Sequence, residues 1–485
     1  MRSSEGLSML ISELVKLPSE TEYVEFKVNN SDPNAIGKYI SSLSNSAALH
    51  QRDRAYLVWG IEDGTHKISG TNFNPLTSKK GQEDLESWLR KMLDSSVDFT
   101  FHLHEEQGVS LVILEIDPAL ANPVKFNNIA YIRIGSYTKP LDKHPEKERK
   151  LWSVLSTATF EKRRALEDVN EEEITKFINY SSYFDLLRQP LPESRETIIN
   201  DLKHERIILR QDNGLWSITN LGALLFAKKL NDFPSVKRKA VRVVLYQDNN
   251  RLNTLREREF SEGYAVKFED IVEFIMTIVP TNEVIEKALR ETKPMYPEIA
   301  IRELVANALI HQDLSILGSS PIIEIFDSRI EICNPGEPLI ETDKLLNAPP
   351  RSRNEQLGSL MRRLGVCEER GSGIDKVIAA IEEYQLPAPK FELDGNSMRA
   401  TLYAHKLLKD MEPDDKIRAC YQHACLQHAN GEPLTNNSLR ERFGIEKKNA
   451  ATASRLIKDA VDAKVIKPHG EFESKRYSKY KPYWA

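Results

Sequence analysis

The chain switches between stretches of period 2 and stretches of period 3.6, and those switches mark its elements. In YVEFKV (residues 23–28) apolar and polar positions alternate as in a half-buried strand, so Glu25 and Lys27 share one face. A serine-rich helical stretch follows, and then the apolar strand AYLVWG, which runs out at Asp63 in a turn with Gly64. Further on, RELVANALIHQD sets Glu303, Asn307 and His311 four residues apart. On a helix these three stack on one face, while Leu304, Val305, Ala308 and Leu309 turn to a core. The paired strands PIIEIFD and RIEICNPG come next, then PPRSRNEQLGSLMRRLG, then a glycine turn at 371–373 that opens a helix near Ile374.

Residues 146–185 read as charged linker helices, and 193–228 as a helix, a hairpin turning at Asp212-Asn213-Gly214, and an apolar helix, a small winged-helix-like unit. The last 80 residues set two helices about a Gly444 turn, with Asn449 to Ala460 as the second, in the rhythm of a helix-turn-helix. The expected fold class is α+β multidomain, divided at 1–145, 146–234, 235–404 and 405–485. A length of 485 residues exceeds what one core serves.

Composition then narrows the class. A net charge of −5 and 40% hydrophobic residues read as an ordinary soluble protein, so nucleic-acid contacts must come from local basic surfaces. Four cysteines at irregular spacing exclude a disulfide framework and fit a reducing cytoplasm. No apolar stretch follows a basic start, and no run approaches the roughly eighteen apolar residues of a membrane span. The expected location is cytoplasmic, with no membrane partner.

The polar stripe is costly unless something polar meets it, and a magnesium nucleotide would. Asn307 offers a neutral oxygen to a hard cation that keeps most of its waters, and Glu303 could orient or deprotonate a water. The amides of Gly371 and Gly373 would cradle phosphates at a helix start, with Arg353 and Asn354 as further phosphate or lid contacts. In these pieces and their order, residues 235–404 resemble the GHKL ATPases, an α/β sandwich, and more narrowly the divergent GHKL domain found behind Schlafen-type domains. The resemblance implies ATP with magnesium, closure or homo-oligomerisation driven by nucleotide, and base contacts at Asn334 and Gly336. There the family's adenine-binding Asp-x-Gly turn is replaced by Asn334-Pro335-Gly336. No GxxxxGK[ST] loop occurs, which argues against a conventional motor.

A second constellation joins Glu20, Glu25 and Asp63, whose oxygens would suit a hard cation, magnesium or manganese, with Lys27 to steady a phosphate. The Glu-x4-Glu-Phe-Lys entry and the Gly-Ile-x-Asp strand end resemble the Schlafen-type AlbA domain, and the likeness runs over residues 10–145. In RNA-cleaving Schlafen proteins these carboxylates form the nuclease centre. The resemblance therefore implies a metal-dependent endoribonuclease, transfer RNA or other structured RNA first, in stress or phage defence. In place of the family's glycine pair this chain has Arg52, Asp53 and Arg54, a bulkier approach expected to close or reshape the nucleic-acid groove. Tyr131, Arg133, Tyr137 and Lys139 interleave basic and aromatic groups, which suits single-stranded or looped RNA and equally suits an ordinary solvated strand face.

The C-terminal helices present Lys447, Lys448, Arg455 and Lys458 for DNA, within a stretch, 440–481, of twelve Lys/Arg against six Asp/Glu. Cys420, His423, Cys425 and His428 spread too far around one helix for tetrahedral zinc. Two readings stay open at this point, an ATP-regulated metal-dependent nuclease and an ATP-sensing DNA-binding transcriptional regulator without cleavage. They differ in whether Glu20, Glu25 and Asp63 are armed.

Overall fold

The computed structural model describes residues 4–17, 21–50, 52, 54–93, 97–120, 122–155, 160–211, 213–286, 289–346, 351–367, 373–470 and 478–485, without the side chains of 4–5 and 281–293. It divides into two compact units. The first comprises residues 1–162 with 167–170 and 209–217, and the second takes the remainder.

In the first unit a four-stranded sheet runs in the order Val24–Lys27, Ala55–Trp59, Val109–Ile116, Phe99–Glu106, with the first pair parallel and the others antiparallel. Period-2 alternation splits its two faces. Tyr56 and Val58 join Leu7, Leu10 and Leu14 of helix Ser4–Val15, whereas Leu57 and Trp59 join Ile36, Ile40 and Leu43 of helix Pro33–Leu49. That second helix starts cleanly because Asp32 accepts from the Ala35 N–H at 3.0 Å and Pro33 stands at its first position.

Its serines have a structural cause. Ser41 Oγ and Asn45 Nδ2 donate to the Val124 carbonyl at 2.8 and 2.9 Å, Asn45 also donates to Tyr131 O at 2.8 Å, and Ser46 Oγ accepts from the Arg133 N–H at 3.0 Å. Small polar groups thus dock a second sheet, which contains strands Ile129–Ile134 and Tyr137–Pro140, onto the helix.

The second unit is built on a six-stranded sheet in the order Thr254–Phe260, Val241–Tyr246, Ile322–Ile325, Arg329–Pro335, Ser397–Tyr403, Lys390–Asp394. Only the contact of Val241–Tyr246 with Ile322–Ile325 is parallel. Helix Glu298–His311 buries Ala300, Ile301, Leu304, Val305, Ala308 and Leu309, as its periodicity requires, and packs beside strand Arg329–Pro335 and helix Gly373–Glu383. The same unit holds helices Arg195–His204 and Asn220–Phe226. It also carries a C-terminal group: helices Pro413–Ala429, Asn436–Arg442 and Ala450–Asp462 with paired strands Ile466–Pro468 and Tyr480–Pro482. No described helix is long and apolar enough to cross a membrane.

Candidate nucleotide site and nucleic-acid interface

The polar stripe of helix Glu298–His311 opens into a cavity of about 560 Å³. Glu303, Asn307 and His311 form one wall, and Asn334 and Gly336 at the end of strand Arg329–Pro335 form another. Gly373 and Ile374, where helix Gly373–Glu383 begins, close a third side. Ile332, Phe391, Met398 and Ala400 supply an apolar floor. A concave site of this size, mostly apolar with a few convergent polar groups, is typical of small-molecule sites.

Burial governs the electrostatics here. It raises the Glu303 pKa, an effect that Lys376 and a hydrogen bond with Asn307 only partly offset. The His311 imidazole is pushed the other way, by burial first and then by Arg353 and Arg362, so it stands neutral at neutral pH. Cys367, also on the wall, has its thiol pushed up to about 11 by burial and by Glu303.

Two glycines are dictated by close approach. At Gly336 (φ +102°) a Cβ would lie 2.6 Å from Asp313 Cβ and 2.9 Å from the Asp313 nitrogen, so no side chain is admissible. At Gly373 a Cβ would overlap Glu303 Oε1, and only glycine lets the helix start meet that carboxylate. Gly371 lies outside the described residues.

The expectation for Arg353 and Asn354 is corrected. Asn354 is buried and donates from Nδ2 to Ile310 O at 2.9 Å and Gln312 O at 2.8 Å, satisfying carbonyls at the end of the Glu303 helix. Arg353 pairs with Asp313 and donates to Glu337 O at 2.9 Å, bracing the Gly336 turn from outside the cavity. The groups that do line the cavity from this segment are Arg351, Ser352, Glu355, Gly358, Ser359 and Arg362. Four of them, 355, 358, 359 and 362, form a stripe with the i, i+3, i+4, i+7 spacing of a single helix face.

The N-terminal constellation is arranged differently from its expectation. Glu25 is buried, as its strand position demands, but its carboxylate is held by two cations, Lys27 Nζ at 2.6 Å and Arg133. Arg133 is fully buried, not presented to a nucleic acid, because strand Ile129–Ile134 turns it inward beneath helix Pro33–Leu49. Asp63 sits exposed in a hairpin turn, where Ile61 bridges to Ile68 and the Glu62 N–H bonds to Lys67 O. Glu20 lies outside the described residues, and among the described residues no three His, Cys, Asp or Glu side chains gather as a metal site.

Glu22, which the spacing argument passed over, is the busiest carboxylate of this segment. It accepts from Lys147 Nζ at 2.7 Å and from the Gly135 N–H at 3.1 Å, and it meets His50 Nε2 at 2.5 Å. Burial pushes its pKa up, but those partners outweigh burial and leave it below the usual range. Of the residues replacing the glycine pair, Arg54 turns to Glu115, Asp117 and Glu167, and Arg52 lies 4.6 Å over the Tyr23 ring. Asp53 lies outside the described residues.

Residues 20–142 match the Schlafen, AlbA_2 family model. Residues 318–402 match a second model, described as "Putative ATP-dependent DNA helicase recG C-terminal". The AlbA_2 match spans Glu25, Lys27, Asp63, Arg133 and Lys139, and the recG-type match spans Asn334, Gly336, Arg362 and Gly373 but begins after the Glu303 helix. No curated protein matches the chain. A crystal structure of the DIP2311 protein from Corynebacterium diphtheriae aligns over 98% of this chain and 97% of that one, at 18% identity and a TM-score of 0.42.

On the AlbA_2 region, Tyr137 and Lys139 remain outward, with the Lys139 ammonium 5.7 Å from the Tyr137 ring centroid, while Tyr131 is buried. In the C-terminal group Lys447, Lys448, Arg455 and Lys458 are all exposed, the first two on the 3-10 turn that leads into helix Ala450–Asp462. Cys420 and Cys425 face the core, where burial pushes both thiols up to about 12, and His423 meets Glu382.

Proposed function

We propose that the chain binds a magnesium nucleotide, ATP first, in the cavity under the Glu303 helix, and that its occupancy controls nucleic-acid contacts made elsewhere in the chain. The observation that carries this reading is the convergence of Glu303, Asn307, His311, Asn334, Gly336 and Gly373 on one cavity. These residues come from three separate elements and meet in the manner the GHKL resemblance implies.

The donor set fits the ligand. Asn307 would hold the cation, which, when bound, neutralises phosphate charge. Glu303, half-buried and with a raised pKa, can hold a proton or orient water. Helix Gly373–Glu383 begins at the cavity wall and directs the positive end of its dipole at the same space.

Nucleic acid is assigned to Lys139 and Tyr137 of the AlbA_2 region, and to the basic face of the C-terminal helices, which we read as a winged helix-turn-helix. Between the regulator and the nuclease, the ion pairs favour the regulator. Both carboxylate oxygens of Glu25 are engaged by Lys27 and Arg133, and Asp63 stands apart in its own turn. The described carboxylates do not fit a divalent-cation site, so no cleavage step is derived from them.

The test is calorimetric titration of magnesium ATP into wild type and Asn307→Ala. A loss of at least about tenfold in affinity is expected, equivalent to about 1.4 kcal/mol. Equal binding by the two proteins would sink the assignment.

A further inference from the structure

We infer that Arg362, seconded by Ser352, is the phosphate-recognition group of this cavity and sets its preference for nucleoside di- and triphosphates over the nucleoside. The inference rests on the nucleotide reading above and adds to it a residue and a ligand class.

Arg362 lines the cavity from the last turn of helix Glu355–Arg363 and is half-buried. Its Nε donates to the Gly358 carbonyl one turn back at 3.1 Å, which fixes the stem of the side chain. Among the described residues it forms no ion pair with a carboxylate, although its helix neighbour Arg363 does, with Glu205. A pre-positioned guanidinium without a carboxylate, on the wall of a partly enclosed site, is poised for an anion, and a phosphate is the anion whose oxygens match its fork.

A second observation comes from Ser352. Ser352 lines the same cavity, and its Oγ is buried with no hydrogen-bond partner in the protein. Leaving a buried hydroxyl unmet is costly, and a ligand oxygen would meet it. The two groups lie near one point, since a Cβ built on Gly358 would stand 3.6 Å from Ser352 Oγ and 4.0 Å from Arg362 Nη2, with Ile310 Cγ2 at 3.2 Å.

The other charged groups on the walls agree with this assignment. His311 is neutral, partly because Arg362 is near, and so brings no competing charge. Glu303 lies beside Lys376 and Asn307, and Glu355 is exposed. Arg351, exposed on the same wall, adds a second positive charge.

The experiment titrates ATP, ADP, AMP and adenosine, each with magnesium, into the full chain as wild type, Arg362→Ala, Arg362→Lys and Ser352→Ala. Wild-type affinity should rise with phosphate number. Arg362→Ala should weaken ATP and ADP by about tenfold or more and leave adenosine within about threefold. Arg362→Lys, which keeps charge and stem, should restore part of the loss, and Ser352→Ala should show a smaller loss in the same ligands. An Arg362→Ala variant that weakens adenosine as much as ATP, or leaves ATP unchanged, overturns the inference. Wild type that binds none of the four ligands overturns the nucleotide reading itself, and that outcome is read without any variant.

Discussion

His423 Nδ1 and Glu382 Oε2 lie 2.8 Å apart, and the other oxygen of Glu382 is 3.2 Å from Arg442 Nε. Glu382 stands in the last turn of the helix whose first residues, Gly373 and Ile374, line the cavity, while His423 and Arg442 belong to the C-terminal helices. The hydrophobic core of those helices also takes in Ile374 and Phe391, two cavity-wall residues, and Tyr421 Oη donates to Asp343 O beside the Leu339–Leu345 wall. One helix thus runs from the cavity wall to the basic module. Magnesium ATP should therefore slow amide exchange across residues 436–462, and Glu382→Gln should reduce that protection by at least half. Identical exchange with and without nucleotide in wild type would show that the two ends are uncoupled.

Gly373→Ala separates fold from site. The atoms the new methyl would meet first are Oε1, Cδ and Cγ of the Glu303 side chain and not backbone, and that side chain can swing away, so stability should change by less than about 1 kcal/mol. The displaced carboxylate leaves its place beside Asn307, and any ATP hydrolysis should fall at least about tenfold. Urea melts and a phosphate-release assay on the same preparation decide it, and a fully active Gly373→Ala would remove Glu303 from the chemistry.

How far these features could be read from the residues alone depended on what each pattern encodes. The Glu303, Asn307, His311 stripe was legible because three polar residues recur at helical spacing inside an apolar run. The stripe of Glu355, Gly358, Ser359 and Arg362 has the same spacing against Leu357, Leu360 and Met361, and could have been found by the same count. Arg133 misled because alternation defines two strand faces without saying which one a helix will cover. Helix Pro33–Leu49 covers the basic one, and the partner that makes this tolerable, Glu25, is 108 positions away. Asn354 looked like a ligand group for a similar reason, since the carbonyls it satisfies belong to a helix end more than forty residues earlier.

Glu25→Ala should act as a stability mutation. It would leave Arg133 charged, fully buried and without its carboxylate, a loss of about 3–5 kcal/mol in the unfolding of the N-terminal unit. Asp63→Ala, in an exposed turn, should change stability by no more than about 0.5 kcal/mol. Neither should alter RNA or DNA in the presence of manganese. Metal-dependent products that disappear in a folded Asp63→Ala protein would reinstate the nuclease reading and require Glu20 and Asp63 to move to Glu25.

Three carboxylates, Glu115, Asp117 and Glu167, share the single guanidinium of Arg54, and this has a pH signature. Burial, opposed by Arg54 and helped by Glu167, Asp98 and Glu115, raises the Asp117 pKa to about 6. The folded protein then holds a proton that the unfolded chain, with aspartate near 4, has released. Protons bound in the native state exceed those in the unfolded state between roughly pH 4 and 6, so this group's contribution to stability falls as pH rises through that window. Because the Asp117 side chain is 35% exposed, solvent screening reduces the effect. Asp117→Asn should flatten the stability profile between pH 4 and 6 relative to wild type. An unchanged slope in the variant would place the proton elsewhere.

The C-terminal module offers a test whose readout is a slope and not only an affinity. Lys447 and Lys448 stand exposed just ahead of helix Ala450–Asp462, and Arg455 and Lys458 stand exposed along it. If these groups neutralise DNA phosphates, each contact releases counterions, and the logarithm of the binding constant falls with the logarithm of salt by about 0.9 per contact. Lys447→Ala/Lys448→Ala should therefore reduce that slope by about two while weakening all sequences alike, because phosphate contacts carry no base information. Lys448 meets Glu446 in the free protein, so part of its Coulomb gain on DNA is offset by that lost pair, and Lys447→Ala alone should account for more than half of the change in affinity. Binding that ignores salt between 50 and 200 mM, or a double variant with the wild-type slope, would remove phosphate recognition from this face and leave the module as a packing surface for the helix that carries Glu382.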